Sequence, residues 1–127
     1  MSLEGTTVVH RRYVPHSHAH YGGNLVDGAY SLALFGDAAT ELCIRTDGDE
    51  GLFAGYGTVT FHAPVHAGDV VEVTARIVRQ GTRSRTVEFT CHVTCRGNPG
   101  RGPSAADVLD PPVLAVSATG TVVVPAP

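Results

Sequence analysis

The stretch His20–Ile44, with the sequence HYGGNLVDGAYSLALFGDAATELCI, decides the predicted fold. It begins with a glycine-rich loop and continues, from about Leu25, as a segment whose apolar residues cover most of the circumference of a helix. A helix that is apolar on nearly all sides is buried rather than laid on a surface. Asn24 is the predicted N-cap, because its side chain can accept hydrogen bonds from free first-turn amides. The stretch therefore predicts one long buried helix, Leu25–Ile44, with the rest of the chain around it.

The polar residues of this helix fall on a single stripe, which consists of Asp27, Tyr30, Asp37 and Glu41. Residues three, four or seven apart share a helix face. Two carboxylates in an apolar setting lose solvation and repel each other, which raises the pKa of at least one of them. A carboxylate with a raised pKa is a proton acceptor near neutral pH. For Glu41 an ion pair with Arg45, one turn further on, is an equal alternative.

The remaining segments with strand character alternate or are rich in β-branched residues. They are Thr6–Val14, Leu52–His62, Val70–Gln80, Ser84–Cys95 and Val113–Val124, the last of which is predicted to be central because it is so apolar. Residues 96–112 are predicted as a long loop with a short helical turn at Ala105–Leu109. Short turns between consecutive strands favour antiparallel pairing. The predicted fold class is α+β, a single domain over residues 1–127 in which one long helix is wrapped by a curved antiparallel sheet.

Composition excludes several classes of function. The net charge of -3 argues against a nucleic-acid footprint. No apolar run reaches the roughly 18 residues needed to span a membrane, and the chain starts without a signal-peptide pattern. The three cysteines are therefore expected to be reduced thiols in a cytoplasmic protein.

Three histidines alternate at His16, His18 and His20, a spacing that is reminiscent of metal ligands. No cysteine or carboxylate within that loop completes a tetrahedral set, so no metal is expected. The other histidines are interpreted as structural or exposed.

Two turns offer groups that bind anions. Gly22-Gly23-Asn24 precedes the helix, and free amides at a helix N-terminus stabilise a phosphate or a carbonyl oxygen that develops charge. Arg83 and Arg85 lie in a hairpin turn and have the geometry to hold a phosphate. In each case an ordinary turn is the alternative.

These pieces, in order along nearly the whole chain, resemble the CoA ammonia-lyases of the hotdog fold, the family that acts on 3-aminobutyryl-CoA and β-alanyl-CoA. The matching residues are AHYGGNLVDGA (19–29), LFGDAATEL (34–42), DGDEGLF (47–53), APV (63–65), Gly68-Asp69, SAADVL (104–109) and ATGT (118–121). Two positions depart from the family pattern. The chain has His18 where Asp is expected, and Ser117 where a basic residue is expected.

The resemblance implies reversible loss of ammonia from a 3-aminoacyl-CoA, such as 3-aminobutyryl-CoA, to give crotonyl-CoA. It also implies an active site between two subunits of a homodimer or dimer-based oligomer, with coenzyme A as part of the substrate and no other cofactor. Asp37 and Glu41 would share the roles of base and ammonium ligand, with Asp37 the first choice for base because Arg45 stands beside Glu41. The other implied site residues are His20 as a catalytic residue and Tyr21, Gly22, Gly23, Asn24, Arg83 and Arg85 in substrate binding.

Two alternatives remain open on the same residues. The first is a thioesterase, in which the carboxylate activates water against the thioester carbonyl. The second is a non-catalytic subunit that binds acyl-CoA esters. The carboxylate pair distinguishes the second alternative, because a binding module does not need it.

Overall fold

One long helix packs against a curved sheet in the computed structural model, which describes residues 2–126. The elements are β1 (Thr7–Tyr13), α1 (Gly28–Asp47), β2 (Leu52–Phe61), β3 (Val70–Gln80), β4 (Ser84–Gly97) and β5 (Ala106–Val123), with two short 3-10 turns at His16–His18 and Gly22–Asn24. The predicted α+β arrangement of one helix and an antiparallel sheet is confirmed.

The sheet has five strands in the order β1-β3-β4-β5-β2, and every neighbouring pair is antiparallel. The last strand, β5, was predicted to be central; it lies between β4 and β2 and is an interior strand, while β4 is the middle strand of the five. The edge strand β2 carries two irregularities against β5, between Phe53 and Gly55 and between Tyr56 and Thr58. Bulges of this kind bend a strand and increase its twist, which helps the sheet to curve around α1.

The core forms where one face of α1 meets the concave face of the sheet. Phe35 and Leu42 of the helix are fully buried, as are Val73 on β3 and Phe89 on β4. The rings of Phe35 and Phe89 stack with their centroids 5.0 Å apart. Burying a side chain of this size stabilises the fold by about 1.5–3 kcal/mol, so these contacts fix the helix on the sheet.

The predicted bounds of the helix were wrong at both ends. The helix begins at Gly28 with Asp27 as its N-cap, not at Leu25 with Asn24 as the cap. Asn24 has a φ of 61°, and Leu25 and Val26 form short bridges with other loop residues. The apolar residues are therefore continuous in the sequence, but the backbone that carries them changes from extended to helical along this run. At the other end, Gly48 adopts the left-handed conformation that commonly closes a helix.

The helix is also not buried on all sides within a single chain. Its outer face includes Ala33 and Asp37, which are exposed, and Ile44, which is 48% exposed. One sheet covers only one side of a helix, so the apolar residues on the opposite side have no cover from their own chain.

The long loop predicted for residues 96–112 is mostly β structure. Strand β4 continues to Gly97 and β5 starts at Ala106, so no helical turn forms at Ala105–Leu109. Asn98 Nδ2 and Arg101 Nη2 each donate a hydrogen bond to Asp107, at 2.8 Å and 2.9 Å. These two bonds close the turn and hold the pKa of Asp107 below its ordinary value.

All three cysteines are free thiols, and Cys43 and Cys91 are buried. Burial raises the pKa of Cys91 to about 11. No helix among residues 2–126 is long and apolar enough to cross a membrane.

Candidate active site

A cleft of about 430 Å³ opens at the N-terminal end of α1. It is formed by the loop before the helix, the first turn of the helix, the end of β2 with the loop that follows it, and one residue of β5. The lining residues are Tyr21, Val26, Asp27, Gly28, Ser31, Phe61, His62, Ala63, Pro64, Val65 and Val116. Most of these are apolar, with a few polar groups, as is typical of a small-molecule site.

The first turn of α1 gives the cleft its electrostatic character. The first amides of an α-helix have no partner within the helix, and the helix dipole makes that end positive. Asp27 occupies the N-cap position, yet its side chain makes no capping hydrogen bond to them. The amide of Tyr30 donates to the carbonyl oxygen of Asp27 at 3.2 Å, so the amides of Gly28 and Ala29 are the ones available to a carbonyl oxygen that develops negative charge.

The glycine turn predicted to supply such amides does not directly precede α1, and its role in binding stays a prediction. Gly22–Asn24 forms a separate 3-10 turn, with Gly23 at a φ of 70°, and α1 begins only at Gly28. None of these three turn residues lines the cleft, whereas Tyr21 does. The ring of His20 packs edge-on against Tyr21, with centroids 4.7 Å apart, so it contacts a residue that lines the cleft.

Backbone hydrogen bonds join the two loops that wall the cleft. The amide of Val26 donates to the carbonyl oxygen of Val65 at 2.9 Å, and the amide of Ala67 donates to that of Asn24 at 2.8 Å. The loop before the helix and the loop after β2 therefore form one hydrogen-bonded unit.

A buried ion pair anchors this unit to β4. Asp69 is 0% exposed, and Arg96 donates two hydrogen bonds to its carboxylate, at 2.9 Å and 2.8 Å. The amide of His66 donates a third hydrogen bond to Asp69 at 2.8 Å, and Arg96 also donates to the carbonyl oxygen of Pro64 at 3.1 Å. A fork-shaped pair of this kind adds geometric specificity as well as energy, so it fixes the position of the cleft wall.

Phe61 lies directly over the start of the helix. A Cβ atom on Gly28 would sit 2.5 Å from Cε1 of the Phe61 ring and 2.7 Å from its Cζ. The ring is 57% exposed, so it forms a wall of the cleft rather than part of the core. Only glycine at position 28 permits this close contact.

Sequence reasoning did not select Phe61, Ser31 or Val65 as site residues. The order of elements along the chain could have indicated them. The end of β2 is followed by Pro64 and then by the Gly68-Asp69 turn, and this segment brings the chain back to the start of α1.

The two helical carboxylates lie elsewhere on the same chain. Asp37 is nine residues beyond Gly28, or roughly 13 Å along the axis at about 1.5 Å per residue. It is exposed on the outer face of α1 and has no ion pair among residues 2–126. Burial is the main cause of a raised pKa at Tyr30, and the nearby Asp37 carboxylate adds to it.

Glu41 makes the ion pair that was one of its two interpretations. Arg45 Nε donates to it at 2.6 Å, and the ring nitrogen Nε2 of His10 lies 2.7 Å away. The hydrogen bonds from Arg45 and His10 hold the pKa of Glu41 below its ordinary value. The expected rise in pKa is therefore not found at Glu41.

The arginine turn lies near the C-terminal end of α1, not at the cleft. Arg85 is buried, and its guanidinium donates to Asp47 at 2.8 Å and to the carbonyl oxygens of Gly81 and Ser84. The Arg85 guanidinium is therefore held by groups of its own chain, and its contact with a CoA phosphate stays a prediction. Arg83 is exposed, and its guanidinium donates to the carbonyl oxygen of Val124 at 3.2 Å.

The three alternating histidines are not arranged on one extended face. Residues 16–18 form a 3-10 turn, and the ring of His18 packs against Tyr30 at a centroid distance of 4.5 Å. Within residues 2–126, no three histidine, cysteine or acidic side chains are grouped so that they could hold a metal ion.

Comparison with known proteins places the chain in a family. The model of the thioesterase superfamily matches residues 23–98. Over 107 residues the chain is 52% identical to a 3-aminobutyryl-CoA ammonia lyase of Acetoanaerobium sticklandii, a match that covers 84% of this chain and 85% of that protein. The chain belongs to the CoA ammonia-lyases of the thioesterase superfamily.

Solved structures of this superfamily show the same fold. The β-alanyl-CoA:ammonia lyase of Clostridium propionicum superposes on this ammonia-lyase family member with a TM-score of 0.89 at 37% identity, over 95% of this chain and 86% of that one. A hexameric hotdog fold thioesterase of Campylobacter jejuni superposes with a TM-score of 0.72 at 18% identity, over 91% and 80% of the two chains. The predicted hotdog fold is confirmed.

Proposed function

We propose that this protein is a carbon–nitrogen lyase that reversibly eliminates ammonia from a 3-aminoacyl-CoA, with 3-aminobutyryl-CoA and crotonyl-CoA as the reacting pair. The observation that carries the proposal is the 52% identity to a 3-aminobutyryl-CoA ammonia lyase over 84% of the chain. The cleft supports it, because helix-terminal amides and a carboxylate meet there in an otherwise apolar lining.

The chemistry follows from the thioester. Its carbonyl acidifies the hydrogens on C2, and the first-turn amides of α1 stabilise the enolate that forms when a base removes one of them. The electron pair of the enolate then forms the C2–C3 double bond. The C3–N bond breaks with its electrons on nitrogen, so an ammonium group leaves as neutral ammonia.

Asp37 is our candidate for the base, acting across a subunit interface. It is too far along α1 to reach the cleft of its own chain, but it lies on the uncovered outer face of that helix. A second subunit that packs on this face would bring Asp37 of one chain to the cleft of the other and would remove it from water. Glu41 is less suited to either catalytic role, because Arg45 and His10 already hold it.

We assign the substrate-binding residues from the exposure of their side chains and from their position relative to the cleft. Tyr21 lines the cleft and Arg83 remains exposed, so we propose that Tyr21 contacts the acyl portion and that Arg83 contacts a CoA phosphate. His20 would act by supporting Tyr21. The assembly we propose is a homodimer or an oligomer built from it.

Incubation with crotonyl-CoA and ammonium is expected to produce the aminoacyl-CoA, detected by its mass. The reason is that elimination is reversible and the enzyme stabilises the same enolate in both directions. Release of free CoA thiol from 3-aminobutyryl-CoA without crotonyl-CoA would instead identify a thioesterase. Binding of both esters with no turnover of either would identify a binding subunit.

Replacing Gly28 with alanine is expected to impair catalysis with little loss of stability. The new Cβ would overlap the Phe61 ring, and a half-exposed ring can move away at small cost. Displacement of a cleft wall misplaces the substrate, so kcat/KM should fall about tenfold or more. Steady-state kinetics and the melting temperature measure the two effects. The double variant with Phe61→Leu should recover part of the activity, and unchanged kinetics in Gly28→Ala would remove Phe61 from the site.

A further inference from the structure

Asp27 is the one acidic side chain among the residues that line the cleft. It is half-buried and occupies the N-cap position of α1 without making the hydrogen bond that usually explains an aspartate there. The cleft also holds the polar side chains of Tyr21, Ser31 and His62, but Ser31 bonds to Cys91 and His62 to Ser117. No side-chain hydrogen bond among residues 2–126 involves the Asp27 carboxylate. A carboxylate in this setting is stabilised by a cation.

The proposed substrate brings a cation to this place. In a 3-aminoacyl thioester only C2 separates the carbonyl carbon from the carbon that carries the amino group, two bonds of about 1.5 Å each. When the carbonyl oxygen accepts hydrogen bonds from the first-turn amides of α1, the amino group must therefore lie within a few ångströms of them. Asp27 immediately precedes those amides in the chain.

The other carboxylates of α1 are poorly placed for this contact. Glu41 is 13 residues beyond Gly28, or roughly 20 Å along the axis, and it is paired with Arg45 and His10. Asp37 is the candidate base, and a group that abstracts the C2 proton cannot be paired with the ammonium group at the same time.

We infer that Asp27 binds the ammonium group on C3 of the substrate, an inference that rests on the proposed lyase function. The ion pair keeps the nitrogen protonated until the C3–N bond breaks, so that neutral ammonia rather than an amide anion departs. In the reverse direction Asp27 binds an ammonium ion beside C3 of the enoyl group. The ammonium ion first gives one proton to the base, the lone pair of the resulting ammonia forms the C3–N bond, and the base delivers that proton to C2, so no further reactant is needed.

The amination of crotonyl-CoA tests this assignment, because ammonium and the thioester can be varied separately. For Asp27→Asn we expect the KM for ammonium to rise about 10- to 100-fold, the loss typical of one charged hydrogen bond. The KM for crotonyl-CoA should stay within about twofold, because the amides that bind its carbonyl are intact. Glu4→Gln, which removes an exposed carboxylate near the N-terminus, is the matched control and should leave both constants unchanged.

Asp27→Ser separates a role in binding from a role in helix capping. Serine caps a helix as well as aspartate does but carries no charge. The inference requires that Asp27→Ser keeps the melting temperature and still shows the raised KM for ammonium. It is overturned when Asp27→Ser restores that KM, or when both variants aminate crotonyl-CoA with the ammonium KM of the wild type. Absence of amination by the wild type would count against the lyase function itself, which is a different result.

Discussion

Replacing Asp37 with asparagine is expected to abolish both the elimination of ammonia and the exchange of the C2 hydrogens of the substrate with deuterium from solvent. A general base contributes about 10²- to 10⁴-fold to rate, and asparagine keeps the shape of the side chain while losing its ability to accept a proton. Asp37 lies on the outer face of α1 with no ion pair among residues 2–126, so the variant should fold and assemble normally. The exchange is followed by mass spectrometry and the elimination by formation of crotonyl-CoA.

Two further variants make this experiment decisive. Glu41→Gln should retain C2 exchange, because Glu41 is held by Arg45 and His10 and is not assigned to enolate formation. Glu88→Gln removes an exposed carboxylate on β4 and should behave as the wild type. Loss of exchange in Glu41→Gln with retention in Asp37→Asn would make Glu41 the base in place of Asp37. Full activity in both variants would exclude a carboxylate of α1 as the base.

Replacing Arg96 with alanine is expected to cause the largest loss of stability of any single arginine substitution. It leaves the fully buried carboxylate of Asp69 without its guanidinium partner, which costs about 3–5 kcal/mol. For a chain of this length that corresponds to a fall in melting temperature on the order of 10 °C. The same substitution frees the carbonyl oxygen of Pro64, so the cleft wall should loosen and the KM for the thioester should rise.

The fork geometry of Arg96 supplies the controls. Arg96→Lys keeps the charge but not the two parallel hydrogen bonds, so its melting temperature should be intermediate. Arg76→Ala, at an exposed position on β3, should change stability by no more than about 0.5 kcal/mol. The double variant Asp69→Ala with Arg96→Ala should lose less stability than the sum of the single variants. A melting temperature for Arg96→Ala equal to that of Arg76→Ala would show that the pair is not needed.

The periodicity of the sequence predicted the elements well and their ends poorly. Alternation in Val70–Gln80 and Ser84–Cys95 identified two strands, because one face of each packs on the core. Leu25 and Val26 extend the apolar run of the helix in the sequence, but in the structure they form β-bridges between loop residues. No local signal in the sequence distinguishes a helical from a bridged backbone at these two positions. The continuation of β5 through Asp107 depends on hydrogen bonds from Asn98 and Arg101, which are contacts across a turn.

The site was predicted less well, since it is made from segments far apart in the chain. Tyr21 was predicted with its neighbours, but only the fold shows that it lines one cleft with Phe61 and Val65. Arg85 looked like an anion ligand because a sequence does not reveal that Asp47, at the far end of α1, neutralises it. Asp37 and Glu41 were treated as a pair, but their environments differ, because His10 of the first strand contacts Glu41.

The burial of the cysteine thiols decides how cleanly coenzyme A release can be followed with a colorimetric disulfide reagent. Such reagents react with thiolates, and a buried thiol whose pKa is about 11, as at Cys91, is almost entirely protonated and shielded at assay pH. Cys43 is buried as well, and burial is the main cause of its raised pKa. Cys95, which is only partly covered, is the one thiol of the chain open to the dye, so the native enzyme contributes at most a single equivalent of background colour.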